Sequence, residues 1–341
     1  MVVPAIILMN QNTKIRRQRA WTNLGAWVSL LLILLSPIEL SAKDANSEKT
    51  TPDKIISSSE LRNVSYSDTQ NQPFSLPQQT WQYGSDENQF IHYWKPYQEK
   101  LKNAKAIKSP VILIHGGCWL SAFDIRHTYS QASAIAKAGH PVYNIEYRRT
   151  GSTGGGWPIT FIDIKAALSK IRSLLKQASE ENLAAEINKT SQYLVNNRYG
   201  TQKINILGHS AGGHLALLAA AQSTDIWPQD WQIHVFGLAA IVDIKSYAQG
   251  TNSCQSVTSD FMQGFPADKP GAYYLANPKE HILQAPQLTS VTLLQGSVDN
   301  IVPRGQANHP DAKTVLIDNV GHFDWLHGKS AAFTHLLTLL K

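Results

Sequence analysis

The chain has 341 residues, 43% of them hydrophobic and 16% charged, which excludes a mainly disordered protein and leaves room for a sizeable buried core. Its net charge of +6 is concentrated at the start, where Lys14, Arg16, Arg17 and Arg19 face only Glu39; beyond residue 42 there are 27 bases and 24 acids, a net of +3. That remainder is too small and too scattered for a nucleic-acid or anionic-lipid surface, and two cysteines, Cys118 and Cys254, cannot build a disulfide scaffold or an all-thiolate zinc site.

In chain order, the basic stretch Lys14 to Arg19 runs into the apolar segment Leu24 to Leu35 and then reaches Pro37 and Ser41-Ala42. This is the layout of an export signal over residues 1–42. Its apolar part has 12 residues, short of the roughly 20 that span a bilayer, so cleavage and a periplasmic or secreted protein are expected, with an uncleaved N-terminal anchor as the alternative. That segment would be the chain's one membrane contact. Residues 43–80 are mostly rich in Ser, Thr, Asp, Asn and Lys, which reads as a linker. A single catalytic domain is expected over 81–341, with no internal repeat.

Phe90 to Trp94 reads as an early strand, followed by apolar runs at Val111 to Ile114, Val142 to Ile145, Ile204 to Leu207, Ile233 to Val242, Val291 to Leu294 and Thr314 to Ile317. Helical stretches fall at Thr128 to Ala138, Asp163 to Gln177, Ala211 to Ala221 and Ser330 to Leu340. Strands alternating with helices predict an α/β fold, a mostly parallel sheet covered on both faces. Ligands of such sheets bind beyond the carboxyl ends of the strands. There the sequence places His115-Gly116-Gly117-Cys118-Trp119, then Gly208-His209-Ser210-Ala211-Gly212, then Gly296-Ser297-Val298-Asp299, and last Gly321-His322.

Gly208 to Gly212 is a Gly-x-Ser-x-Gly turn between a strand and a helix, where a strained turn needs small neighbours and the helix N-terminus adds partial positive charge. Ser210 is therefore the candidate nucleophile. Gly116, Gly117 and Ala211 offer unshielded backbone amides for an oxyanion. His322, after the last strand, is the candidate base, ahead of His115, His209, His214 and His327, which lie in the wrong chain order or too far along. Asp299 is the candidate acid, because Asp243 follows an earlier strand and reads as a helix cap, and Asp324 stands too close in sequence to orient His322.

With these residues in place, the chain resembles the α/β-hydrolases. The set HGGCW, EYRR (Glu146 to Arg149), GHSAGGH, GSVDNIVP and GHFDW is similar to the esterase branch containing feruloyl-esterase-like proteins and arylformamidases. The resemblance runs from about Trp81 to the end and implies triad roles for Ser210, Asp299 and His322. It also implies hydrolysis of small carboxylic esters through an acyl-enzyme, with no metal or organic cofactor. Amide hydrolysis on the same triad is the first rival, and a non-catalytic binding protein on the same scaffold the second.

Arg148 to Pro158 and Ser246 to Pro278 follow strands and are the expected pocket walls, with Trp119, Tyr147, Trp157, Phe261 and Tyr274 as candidate acyl or aryl contacts and core packing as the other reading of each. Neither segment carries the broad apolar helix of a lipase lid, so short acyl or aryl esters are the expected substrates. Cys118 and Cys254 both fall near the strand ends; an oxidising compartment permits a bridge, while Cys118 also reads as a small apolar residue behind the oxyanion loop.

Overall fold

The computed structural model describes residues 62–97, 108–187 and 202–340. The expected signal or anchor and the start of the expected linker lie outside the described residues. Among the described residues, no helix is long and apolar enough to cross a membrane.

Short β-branched and leucine-rich runs form the centre of the sheet. The strands are β1 (Gln79–Gln82), β2 (Phe90–Trp94), β3 (Val111–Ile114), β4 (Val142–Ile145), β5 (Lys203–His209), β6 (Gln232–Leu238), β7 (Leu288–Gly296) and β8 (Lys313–Ile317). They lie in the order β1-β2-β4-β3-β5-β6-β7-β8, antiparallel between β1, β2 and β4 and parallel elsewhere. Every residue of β3 and β4 is buried, as a strand covered on both faces requires.

The helices are α1 (Tyr66–Gln70), α2 (Tyr129–Lys137), α3 (Ile159–Ile187), α4 (Ala211–Gln222), α5 (Ile244–Tyr247), α6 (Ser253–Ser256), α7 (Thr258–Met262), α8 (Pro270–Ala276) and α9 (Ala331–Leu339). Alternate strand residues feed two cores. Ile112, Ile114, Ile204 and Ile206 pack with α3 and α4, and Val111, Leu113, Leu207 and Phe236 pack with α2 and α9. Helix α4 is apolar on all sides and buried from Ala211 to Ala220. Each of its leucines, Leu215, Leu217 and Leu218, contributes about 1.5–3 kcal/mol of burial.

Some boundaries differ from the sequence expectation. Strand β6 stops at Leu238, before the expected Val242, because Ala239 turns the chain with φ +48°. Helix α3 begins directly after Pro158 rather than at Asp163 and continues past Gln177. The packed domain also starts earlier than Trp81. Ser65 and Asp68 form a reciprocal capping box that starts α1, and Val64 N donates to Asp324 Oδ2 at 2.9 Å. Residues 62–80, expected as the end of a linker, therefore belong to the domain.

Candidate active site

The chain leaves β3 toward β4 on one side and returns to β5 on the other, so the sheet's direction of growth reverses at β3. A crevice opens at such a switch point. Ile114 pairs with Gly208, which sets His115-Gly116-Gly117 beside His209-Ser210.

Ser210 sits between β5 and α4 with φ 55° and ψ −119°, a conformation a side-chain-bearing residue rarely adopts. The turn closes only with glycines around it. A Cβ on Gly208 would stand 2.3 Å from Gly212 O, and one on Gly212 would stand 2.1 Å from Ile114 O. Ser210 N donates to Leu238 O at 2.9 Å, fixing the elbow to β6.

Asp299 and His322 meet in the loops after β7 and β8, where His322 Nδ1 donates to Asp299 Oδ2 at 2.8 Å. The other carboxylate oxygen accepts the amides of Ile301 (2.8 Å) and Val302 (2.9 Å), and Gln295 Nε2 donates to Oδ2 at 3.1 Å. Burial by itself would raise the pKa of Asp299; His322 and the two amides outweigh it and hold the carboxyl below the usual range. Asp299 is thus an anion that fixes the Nδ1–H tautomer of His322 and leaves Nε2 as the basic nitrogen. The two competing acids do other work. Asp243 caps α5 through Ser246 N, and Asp324 accepts the amides of Val64 and Gly321.

His209 is fully buried and donates Nε2–H to His322 O at 2.9 Å, with the two rings 4.6 Å apart. Its Nδ1 has no hydrogen-bond partner among the described residues, and burial followed by the nearby His322 keeps its pKa well below the ordinary value, so the ring is neutral. His209 therefore braces the histidine loop. His214, one turn into α4, donates Nε2–H to Ala276 O at 2.6 Å, and His327 holds the amide of Lys329.

On the other flank of Ser210, the amides of Gly116, Gly117 and Ala211 have no acceptor among the described residues, the condition for an oxyanion hole. A Cβ on Gly116 would stand 2.8 Å from His209 O and 3.1 Å from Ser210 Cβ, so only glycine brings that backbone against the serine. Gly117, Cys118 and Trp119 follow with φ of 101°, 54° and 57°. A disulfide joins Cys118 to Cys254 in α6, with Cα atoms 5.2 Å apart.

The loop is anchored from below by His115, which the sequence offers as an orienter of this loop rather than a base, and by the Glu146 to Arg149 motif, whose role the sequence leaves open. His115 lies with Nδ1 2.8 Å from Gly116 O and Nε2 2.9 Å from Glu146 Oε1. Glu146 also accepts the amides of Ile125 and Tyr147 and a bond from Arg149 Nη1. The motif Glu146 to Arg149 is thus a buried brace for the oxyanion loop.

The five candidate pocket residues do not form one wall. Trp119 and Phe261 are fully buried and stack on each other at 4.6 Å. Tyr147 is fully buried, stacks on His115 at 4.4 Å and donates its hydroxyl to His115 O. Trp157 packs on Phe161 at 6.0 Å, and Tyr274 is exposed beside His281. Trp119, Tyr147 and Phe261 are core residues, because their ring faces are taken by other rings. The two expected walls do join: Trp157 N donates to Phe261 O, and Gln263 Nε2 to Trp157 O.

A different aromatic group borders the His322 and Gly117 loops. Phe323 lies 5.0 Å from the His322 ring and 6.2 Å from that of His209, Tyr66 packs on Phe323 at 5.4 Å and on Phe123 at 5.7 Å, and Phe123 Cβ is 2.4 Å from where a Gly117 Cβ would be. Phe323 was detectable as the neighbour of His322. Tyr66 was detectable through the Ser65–Asp68 capping pattern inside polar sequence.

No curated protein sequence matches the chain significantly. Among solved structures it is similar to a bifunctional GH43-CE protein of Bacteroides eggerthii (TM-score 0.52, 18% identity, 76% of this chain and 35% of that one). It is also similar to a truncated carbohydrate esterase from gut microbiota (TM-score 0.52, 20% identity, 78% and 96%) and to esterase B from Lactobacillus Rhamnosis HN001 (TM-score 0.54, 15% identity, 79% and 86%). The chain spans about a third of the first of these, and at such identities the likeness is one of fold. Residues 98–313, more than half of the chain, match the family described as BD-FAE. The chain belongs to that family and has an α/β-hydrolase fold.

Proposed function

We propose that the protein is a serine esterase that cleaves small carboxylic esters through an acyl-enzyme, with Ser210 as nucleophile, His322 as general base and Asp299 as its orienting anion. The observation that carries this reading is the buried, hydrogen-bonded Asp299–His322 pair, whose histidine loop is tied through His322 O to His209, the residue just before the strained Ser210 elbow. His322 Nε2 takes the hydroxyl proton as Ser210 Oγ attacks the ester carbonyl. The amides of Gly117 and Ala211, with Gly116 beside them, hold the oxyanion, and the alcohol leaves with the proton from His322. Water, activated by the same nitrogen, then releases the acid. The steps use only these side chains, backbone amides and water.

Short acyl or aryl esters are the substrates this reading favours, since the helices of the Ser246 to Pro278 segment are short and give no broad apolar lid. The likeness to a carbohydrate esterase and to an acetyl ester-xyloside bifunctional hydrolase supports acyl groups carried on sugars as the first class to try. An exported location agrees with the Cys118–Cys254 bridge. The test is fluorophosphonate labelling of Ser210 together with a panel of p-nitrophenyl esters, acetylated sugars, aryl formamides and peptide anilides. Fast labelling with highest kcat/KM on acetyl to butyryl or aryl esters is expected. Preferred turnover of an aryl formamide would make the enzyme an amidase, and absent labelling would remove the triad reading.

A further inference from the structure

A groove of about 1340 Å³ runs along α2, outside the residues assigned to the catalytic centre. Its upper end is formed by His327-Gly328-Lys329, which follow the His322 loop, and its lower end by Lys95 and Lys137 near the start of β4. Helix α2 alone gives it a length of about 13 Å at 1.5 Å per residue. The volume exceeds the roughly 300–1,000 Å³ of a small-molecule cleft, so its shape suits a chain rather than a single small molecule.

The walls are held firmly. Ser75 N donates to Ser133 Oγ at 2.8 Å, Trp94 Nε1 to Ser75 O at 2.8 Å and Gly328 N to Gln72 Oε1 at 3.0 Å. Two aromatic rings stay open to solvent on them: Phe74 is 51% exposed and Tyr97 is 45% exposed. Phe74 rests one side on Tyr129 at 5.5 Å and presents the rest outward.

The lining charge is mostly positive, Arg62, Lys95, Lys137 and Lys329 against the single carboxylate of Asp68. Lys95, Lys137 and Lys329 are exposed, and none of them pairs with a carboxylate among the described residues. The acid lining the groove, Asp68, spends its Oδ2 on the Ser65 amide and hydroxyl at the start of α1.

We propose that this groove binds an acidic oligosaccharide, one carrying uronate carboxylates, as a docking site separate from the ester-cleaving centre. The apolar C–H face of a pyranose packs flat on an exposed ring such as Phe74, the amides and hydroxyls of the walls suit sugar hydroxyls, and the three unpaired ammonium groups match spaced carboxylates. A nucleic acid fits less well, because three lysines spread along the groove neutralise few phosphates and the chain's positive excess is small.

The test uses the full chain in calorimetric titrations with a galacturonate oligosaccharide and an uncharged xylan oligosaccharide of equal length, at low and at physiological salt. The acidic ligand should bind at least about tenfold more tightly at low salt, with the advantage shrinking as salt screens it. The triple variant Lys95→Gln, Lys137→Gln, Lys329→Gln should lose that advantage, and Phe74→Ala should weaken both ligands. Both variants should keep the wild-type kcat/KM on p-nitrophenyl acetate, which also reports that they are folded. Equal binding of the two oligosaccharides, no binding of either, or an unaffected triple variant would overturn the proposal. So would duplex DNA binding as tightly as galacturonate with Phe74→Ala without effect. Binding is read directly, so failure here leaves the Ser210 mechanism standing, and failure of that mechanism leaves the groove.

Discussion

On one side of Ser210 the oxyanion loop carries three successive positive φ values, two of them at residues with side chains, Cys118 and Trp119. On the other side Asp299 and His322 are themselves outside the left-handed region, with one such residue, Asn319 (φ 57°), in the loop before His322, and the Asp299 carboxylate accepts four hydrogen bonds. A non-glycine residue in the left-handed region costs about 1–2 kcal/mol, so the oxyanion side persists only because its surroundings over-determine it. Those surroundings are the disulfide to Cys254, the Trp119–Phe261 stack and the hydrogen bonds of Leu120 N to Gly117 O and Thr150 N to Trp119 O. In the proposed mechanism, strain held by a covalent tie fixes where an anion would be bound, whereas a polar network fixes a tautomer and a charge.

The largest expected effect is common to both sides. Ser210→Ala should lower kcat by about a million-fold while leaving the circular dichroism spectrum and melting point near wild type; most of the activity surviving in a clean preparation would discard the mechanism. Asp299→Asn addresses the polar side alone. With the amide in place of the carboxylate, His322 loses its enforced tautomer, and kcat should fall about ten-thousand-fold, seen in steady-state kinetics on p-nitrophenyl acetate.

Cys254→Ser addresses the strained side alone, since it removes the bridge and leaves the loop sequence intact. A small shift of a catalytic group costs up to about a hundredfold, so a drop in kcat of about tenfold is expected with an unchanged pH profile. The same variant should lose about 2–4 kcal/mol in urea titrations, because the bridge closes a long loop. A wild-type kcat in a variant whose thiol is fully titratable would show that packing by Trp119 suffices.

The remaining effect is on stability rather than on activity, and it is read by pH. His209 and His214 are buried and neutral, His214 with its pKa pressed to about 4 by burial and His209 well below the ordinary value. Burial and the neighbouring His115 likewise press His127 to about 3. In the unfolded chain these groups titrate near 6.5, so unfolding takes up protons below that pH. Their contribution is complete above about 6.5 and is lost as pH falls toward 4 and 3, at about 1.4 kcal/mol per unit for each group. Asp299 has the same sign but acts lower, below the carboxylate value of about 3.9. Urea midpoints should therefore already decline between neutral pH and about 5, and His214→Gln should flatten that decline; a flat profile down to pH 4 would contradict the assignment.

Strands, helices and the residues that follow them were legible because each buried strand is a continuous apolar run and the switch point places chemistry just past its end. Ser210, Asp299 and His322 were singled out on those grounds, and the structure brings Asp299 and His322 into contact. The pocket residues were less legible, because a large aromatic such as Trp119 or Phe261 looks the same in sequence whether its face meets a substrate or another ring. Tyr66 was hidden by the polar composition around it, although its capping residues were readable. The pairing of Cys118 with Cys254 depends on how the segment after β6 folds back over the oxyanion loop, which strand periodicity does not encode.

Helix α4, which carries Ser210 at its head, is enclosed on every side and touches strand backbone at Gly208 and Gly212 with no room for a methyl group. A side chain mounted this way, the nucleophile of the proposed mechanism, cannot drift out of place while the sheet stands. Thermal inactivation should consequently follow the rate of global unfolding rather than precede it. Residual esterase activity after heating would then serve as a clock for the whole domain.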